Sequence, residues 1–270
     1  MRVARLLLPF VVSVLFLISS AAQQTPPPLT PSPQRDAQAI SILQQSLAAM
    51  GADRLPQVAD LTISGQIVQQ RALDKTSGTI LLKMTGPEMV RVETNVPDGT
   101  TVHIVNGIRM RRIHGAEDEA MPMHAALNHP FQYVPLLSGL RTITDPSIAV
   151  SFVGEETVDG KSVYHVRVEK VYPQQPAEQG RLLSKLTGTD LYIEEGTFLP
   201  VMRVQELPSL IDAKNSLSIE FRYSDYRQIQ GVMIPYKIGV YVNNQESAEI
   251  RFTSLVLNSG VNPLEFEVQP

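Results

Sequence analysis

Apolar and polar residues alternate along most of this chain. The clearest run lies in its last third, where Leu217, Ile219, Phe221 and Tyr223 are separated by Ser218, Glu220, Arg222 and Ser224. Strand side chains point to opposite faces with period 2, so this run makes one apolar and one wet face. Gln230-Gly231 marks a turn, Ile234, Tyr236, Ile238, Val240 and Val242 repeat the alternation, and Asn243-Asn244 precedes Ala248, Ile250 and Phe252. Successive one-sided strands predict an antiparallel sheet that must cover its apolar face. The same pattern appears upstream over Leu61–Ile67, Thr79–Met84, Met89–Val96, Val102–Val105 and Ile108–Ile113, with turn signals at Pro97-Asp98-Gly99 and Asn106-Gly107. It resumes over Ile148–Phe152 and Tyr164–Val168 around Asp159-Gly160, then over Asp190–Val204 around Glu195-Gly196. About ten strands are expected. Tyr172–Leu183 reads as a polar loop.

Two segments break the pattern. Asp36 is a natural N-cap, and Ile40, Leu43, Leu47 and Met50 follow at helical spacing before Gly51. They predict one amphipathic helix. Between the two strand runs, Met121, Met123, Leu127, Phe131, Val134, Leu136, Leu137 and Leu140 form an apolar stretch cut by Pro122, Pro130 and Pro135. Proline removes a helical hydrogen bond and clashes with the preceding turn, so short helices are expected here.

The N-terminus alters the setting. Arg2 and Arg5 precede the apolar run Leu6–Ile18, and small residues Ser20-Ala21-Ala22 follow, the layout of an export signal cleaved after Ala22. The run is short for a membrane span, which leaves an inner-membrane anchor as the minor alternative. Pro26, Pro27, Pro28, Pro31 and Pro33 make residues 23–35 an extended spacer, with one domain over 36–270. The chain has no cysteine. It therefore holds no disulfide and no thiol to accept a lipid, and a periplasmic setting fits it better than a disulfide-dependent secretory route. Cleavage removes two basic residues and leaves 21 Lys+Arg against 27 Asp+Glu, a formal charge of −6. Such a balance argues against nucleic acid as a partner, and against anionic membrane surfaces.

Candidate chemistry is sparse. His103 and His165 sit in strands and read as solvent-facing, while His114, His124 and His129 lie near the central insert without recognised metal-ligand spacing. Glu155-Glu156, Glu194-Glu195 and Glu117-Asp118-Glu119 fall at turns or hairpin ends, where charge serves solvation. No nucleophile elbow, zinc-helix motif or phosphate loop is present, so no catalytic residue and no cofactor is assigned. Arg109, Arg111 and Arg112 form the one basic cluster, with Arg112 on the opposite strand face from the other two. It reads as a solvated strand face, with docking to an acidic partner or headgroup as the alternative.

The order of elements carries a resemblance: a leader, a helix ending at Met50-Gly51, a long antiparallel sheet, a short-helix insert, then Tyr223-Ser224-Asp225-Tyr226-Arg227 ahead of Gly231-Val232-Met233-Ile234-Pro235, and a closing Leu264-Glu265-Phe266. The chain resembles the periplasmic lipoprotein-carrier superfamily of LolA and LolB over about residues 36–268. The resemblance implies an α+β, mostly β fold. Its strongly curved antiparallel sheet forms an open half-barrel, with the N-terminal helix and the short-helix insert filling or lidding the concave face. It further implies a non-enzymatic periplasmic protein that binds an acyl chain, a lipid or a lipidated protein and is not integral to the membrane after cleavage. The implied lid residues are Met121, Met123, Leu127, Phe131, Val134 and Leu137. The implied wall residues are Leu217, Ile219, Phe221, Ile238, Val240, Ile250 and Phe252. An envelope sensor or protein-interaction module of the same fold is the alternative, with an enzyme a distant third.

Overall fold

The computed structural model describes residues 33–71, 74–86, 88–208 and 216–268. Helix α1 (Ala37–Ala49) leads into strands β1 (Asp60–Arg71), β2 (Asp74–Thr85), β3 (Met89–Val96), β4 (Gly99–Asn106), β5 (Arg109–His114) and β6 (Glu117–Met121). The insert holds α2 (Met123–Asn128), a 3-10 turn and α3 (Pro135–Thr144). Strands β7 (Ile148–Val158) and β8 (Lys161–Lys170), helix α4 (Ala177–Thr187) and strands β9 (Thr189–Glu194), β10 (Pro200–Pro208), β11 (Ser216–Ile229), β12 (Val232–Val242) and β13 (Gln245–Leu257) complete it. The thirteen strands form one curved, unclosed sheet in the order β6-β5-β4-β3-β2-β1-β13-β12-β11-β10-β9-β8-β7, antiparallel throughout. The half-barrel with helices is the architecture expected from the sequence.

This order dictates where the insert lies. Two meanders, β1–β6 and β7–β13, are zipped together by the β1–β13 pair, so β6 and β7 are the two edges of the sheet. The insert joins those edges and must cross the whole covered face. Flat, twelve inter-strand spacings of about 4.8 Å would separate the edges by about 58 Å. A largely helical insert of about 26 residues reaches about 50 Å at most, so the crossing requires the sheet to curl.

The hairpins follow from local chemistry. Asp159-Gly160, Gln230-Gly231 and Asn243-Asn244 all have positive φ at both residues, the primed-turn geometry that suits twisted strands. Asp225 takes a φ of 53 within β11, yet the β11–β12 register runs unchanged from Ser224–Lys237 to Tyr226–Pro235.

The covered face carries two apolar clusters that share α1. Leu47 and Met50 pack with Ile63, Leu82, Val92, Ile234, Ile238 and Phe252, while Ala39, Ile42 and Leu43 pack with β7, β8 and β9 through Val150, Val166 and Ile193. Asp36 caps α1 through Oδ1, which accepts from the Ala39 amide at 2.9 Å. At the other end the Met50 carbonyl accepts from Met233 N at 3.0 Å, and Gly51 approaches so closely that an added Cβ would lie 2.1 Å from Gly231 O. On the opposite face the C-terminal turn seats Phe266 against Val102 and Ile104, and Lys83 reaches Glu265 at 2.6 Å.

Three expectations need correction. There are thirteen strands rather than about ten: the alternating segments form twelve, and Glu117–Met121 adds an edge strand paired with β5 although four of its five residues are exposed. Tyr172–Leu183 is not a loop, since α4 starts within it. That helix docks through the small residues Gly180 and Ser184, with Ser184 Oγ donating to Lys170 O at 2.7 Å, and so shows no apolar stripe. Last, residues 34–36 run parallel to β7, with Val150 N donating to Gln34 O at 2.8 Å and Asp36 N to Val150 O at 2.9 Å, and cover that edge.

Candidate functional site

An apolar cavity of about 150 Å3 lies between the insert and one end of the sheet. The sheet contributes Leu61, Met84, Val232, Ile234 and Leu257, and the start of α3 contributes Val134, Leu136 and Leu137. Strand alternation puts the sheet residues on one face, and the crossing of α3 covers them. Among the described residues Asp60 is the only ionisable one in the lining. Its carboxylate is engaged elsewhere, accepting from Ser259 Oγ at 2.6 Å, Ser259 N at 2.7 Å and Gly260 N at 3.1 Å, and these bonds hold it below the usual carboxylate range. The cavity therefore offers burial and no chemistry.

The sequence-derived residues scatter around this space. Val134 and Leu137 line it. Phe221, Ile238, Ile250 and Phe252 are buried in the adjoining core, and Ile219, Val240 and Met121 pack half-buried against it. Leu217 is half-buried further along β11, and Met123 is exposed. Leu127 lies on α2 and Phe131 in the 3-10 turn, with their side chains outside the described set. Leu61, Met84, Val232, Ile234 and Leu257 share the apolar face of the named wall residues but sit at the other end of their strands. Alternation identifies a face and carries no information about where along it the helices leave a gap.

A polar seam runs beneath the insert. His103 pairs across the sheet with Val92, on the covered face rather than in solvent as the sequence implied. Its ring lies 4.9 Å from that of buried His129, which lies 5.7 Å from Tyr133, itself edge-on to Phe221 at 6.5 Å. Burial, then the Arg112 charge, lowers His103 to about 4. Burial, then His103 and Arg203, lowers His129 to about 3. Burial pushes Tyr133 up to about 12. Tyr223, raised by burial, donates its hydroxyl to Gln132 O at 2.9 Å and so ties the insert to β11.

Arg203 is the outlier. It pairs with Phe221 and Leu191, which places it on the covered face at the boundary between the two apolar clusters. It is 3% exposed. Nη2 donates to Thr189 Oγ1 at 3.1 Å, whereas Nε and Nη1 have no partner. No carboxylate among the described residues pairs with it, and burial lowers its pKa. A second, smaller cavity of about 20 Å3 lies against Arg203, Ser46, Tyr223, Pro135 and Gly139, and Ser46 Oγ is likewise buried without a partner.

Ion pairs line both faces of β5 and β6. Arg111 pairs with Asp118 on the outer face, while Arg112, cross-strand from His103 on the covered face, pairs with Glu119 at 3.5 Å, so two of the three clustered arginines are matched across β5 and β6. His165, expected in solvent, is only 11% exposed and lies between Glu156 at 2.6 Å and Asp190 at 2.9 Å, stacked on Tyr192. Among the described residues no group of three or more His, Asp or Glu side chains converges as a metal would need. No described helix is long and apolar enough to cross a membrane.

No family model and no curated protein matches the chain in sequence. Solved structures share its fold. A domain assigned to outer membrane lipoprotein sorting from Vibrio parahaemolyticus matches at TM-score 0.56 and 10% identity, covering 85% of this chain and 96% of that one. A DUF1329 family protein from Desulfovibrio piger matches at TM-score 0.54 and 13% identity, over 85% and 97% of the two chains. A LolA superfamily protein from Nitrosomonas europaea matches at TM-score 0.54 and 14% identity, again over 85% and 97%. The fold is thus LolA-like.

Proposed function

We propose that this protein is a non-enzymatic periplasmic binding protein for an apolar chain, carried free or as part of a lipid or lipidated protein. The observation that carries the reading is the apolar cavity of about 150 Å3 roofed by the first turn of α3. Burial at about 25 cal/mol per Å2 supplies the affinity. The fold shared with a domain assigned to lipoprotein sorting supports the same class of ligand. The export signal over residues 1–22, which lies outside the described residues, would deliver the protein to that compartment.

Size sets the mechanism. A cavity of 150 Å3 takes up a benzene-sized group of about six carbons, so a full acyl chain enters only if the insert lifts. The attachments of the insert differ at its two ends. At the C-terminal end of α3, the Arg35 guanidinium donates to the carbonyls of Thr142 at 3.2 Å, Ile143 at 3.0 Å, Asp145 at 3.0 Å and Ile148 at 2.8 Å. These bonds satisfy carbonyls that a helix end leaves open and make that end the pivot. The cavity end is held by apolar contact, which an apolar ligand replaces, and by the Tyr223–Gln132 bond.

The test is native mass spectrometry of the full chain, exported with its own leader and purified without detergent, before and after incubation with phosphatidylethanolamine vesicles. A reproducible adduct of acyl or lipid mass is expected, and Leu137→Trp, which fills the cavity, should reduce it at least tenfold. A bare polypeptide mass under both conditions would refute the reading.

A further inference from the structure

We infer that the ligand carries a carboxylate and that Arg203 binds it. This rests on the carrier reading above and specifies the polar end of the ligand. A guanidinium that is 3% exposed, with Nε and Nη1 unpartnered and no acidic group paired with it among the described residues, is an uncompensated buried charge. Leaving such a charge unpaired costs several kcal/mol, and an apolar residue of similar size would be more stable there. Stability alone does not account for arginine at this position. A carboxylate does, because it supplies the missing charge and accepts from the unpartnered Nε or Nη1, each of which forms a bidentate edge of the planar fork with Nη2.

The surroundings fit that group. The cavity against Arg203 measures about 20 Å3, room for one or two waters and so for a small planar anion. The buried, unpartnered Ser46 Oγ is a second hydroxyl donor in its lining. The cavity also adjoins the acyl space. Pro135 and Gly139 face it from α3, while Val134, Leu136 and Leu137 of the same turn line the larger apolar cavity. The first turn of α3 is therefore the partition between a buried cation and an apolar chamber. Lifting it yields one site with the two halves of a fatty acid.

The probes are cis-parinaric acid and its methyl ester, titrated by fluorescence at pH 7.4 against the full exported chain. The wild type should bind the acid at least tenfold more tightly than the ester. Arg203→Met should lose that preference by weakening the acid alone, and should unfold at a higher temperature than the wild type because the buried charge is gone. Arg203→Gln is the second variant, expected to lose the preference equally. Equal affinity for acid and ester in the wild type, the result if the cavity holds only water, would overturn the inference while leaving the carrier reading intact. So would a preference that survives both substitutions. Binding of neither probe would overturn both.

Discussion

Acidification tests the buried histidine pair. His103 and His129 stay neutral in the folded protein down to about 4 and about 3 respectively, whereas in the unfolded chain each protonates near 6.5. The folded-state pKa values are depressed, so the unfolded state binds more protons between those limits, and stability present above pH 6.5 is lost as pH falls toward 4. At pH 5 each histidine lies about 1.5 units below its unfolded pKa, which is about 2 kcal/mol apiece at 1.36 kcal/mol per unit, or about 4 kcal/mol together. The groups facing the pair reinforce the direction: Arg112 lies beside His103, and Arg203 beside His129. The shifted carboxylates act in a lower window. Burial raises Asp145, but the Ser147 and Lys170 bonds outweigh it and hold it at about 2, and an unfolded carboxylate protonates only near 4. The range from pH 7 to 5 therefore isolates the histidines. Urea unfolding followed by circular dichroism should show the midpoint falling by about 1.5 M over this range, for a slope of about 2.5 kcal/mol/M. His129→Phe removes one titrating ring and should halve the fall. A midpoint unchanged between pH 7 and 5, or an equal fall in His129→Phe, would refute the assignment of the pair as buried and neutral.

Two further perturbations probe the frame that holds the insert. Arg35→Met removes the four bonds to the end of α3 and the start of β7 and should lower stability by about 3 kcal/mol, since bonds to charged donors contribute about 1.5–3 kcal/mol and water replaces part of them; an unchanged urea midpoint would remove Arg35 as the pivot. Gly51→Ala and Gly86→Ala both place alanine at positive φ, but a Cβ at Gly51 would lie 2.1 Å from Gly231 O and one at Gly86 meets nothing within 4 Å. Gly86→Ala should cost about 1 kcal/mol and Gly51→Ala clearly more in the same thermal melts, with equal costs ruling out the close approach.

The sheet was legible because alternation reports which face is buried, and the Asp159-Gly160 and Asn243-Asn244 turns announced their hairpins. What escaped detection lacked that periodicity. β6 is exposed along four of its five residues, and α4 docks through Gly180 and Ser184 instead of an apolar stripe. β10 misleads outright. Its apolar Met202 and Val204 face away from the covered side, while Arg203 and Gln205 turn inward, both 3% exposed. Gln205 finds the Leu186 carbonyl at 3.1 Å, while Arg203 keeps two nitrogens without a partner. The position of the cavity along the strands was equally hidden, because Ile234 and Ile238 of β12 obey the same alternation and only Ile234 meets the gap beneath α3.

The inward-turned polar groups of the sheet coincide in space, which is where their meaning lies. Local preference and global fold agree along most of a natural chain and part company at sites kept for something other than stability. Here the disagreements gather under the insert: His103 against His129, Tyr223 against Gln132, and Arg203 against the cavity beside Pro135 and Gly139. An insert seated on apolar side chains alone would lift only by exposing all of that surface to water. One seated partly on polar groups lifts at lower cost, because each of those groups finds water as its new partner. On the carrier reading proposed above, the polar seam lowers the work of opening while the strand face on either side remains apolar, the combination that a lid over an acyl site requires.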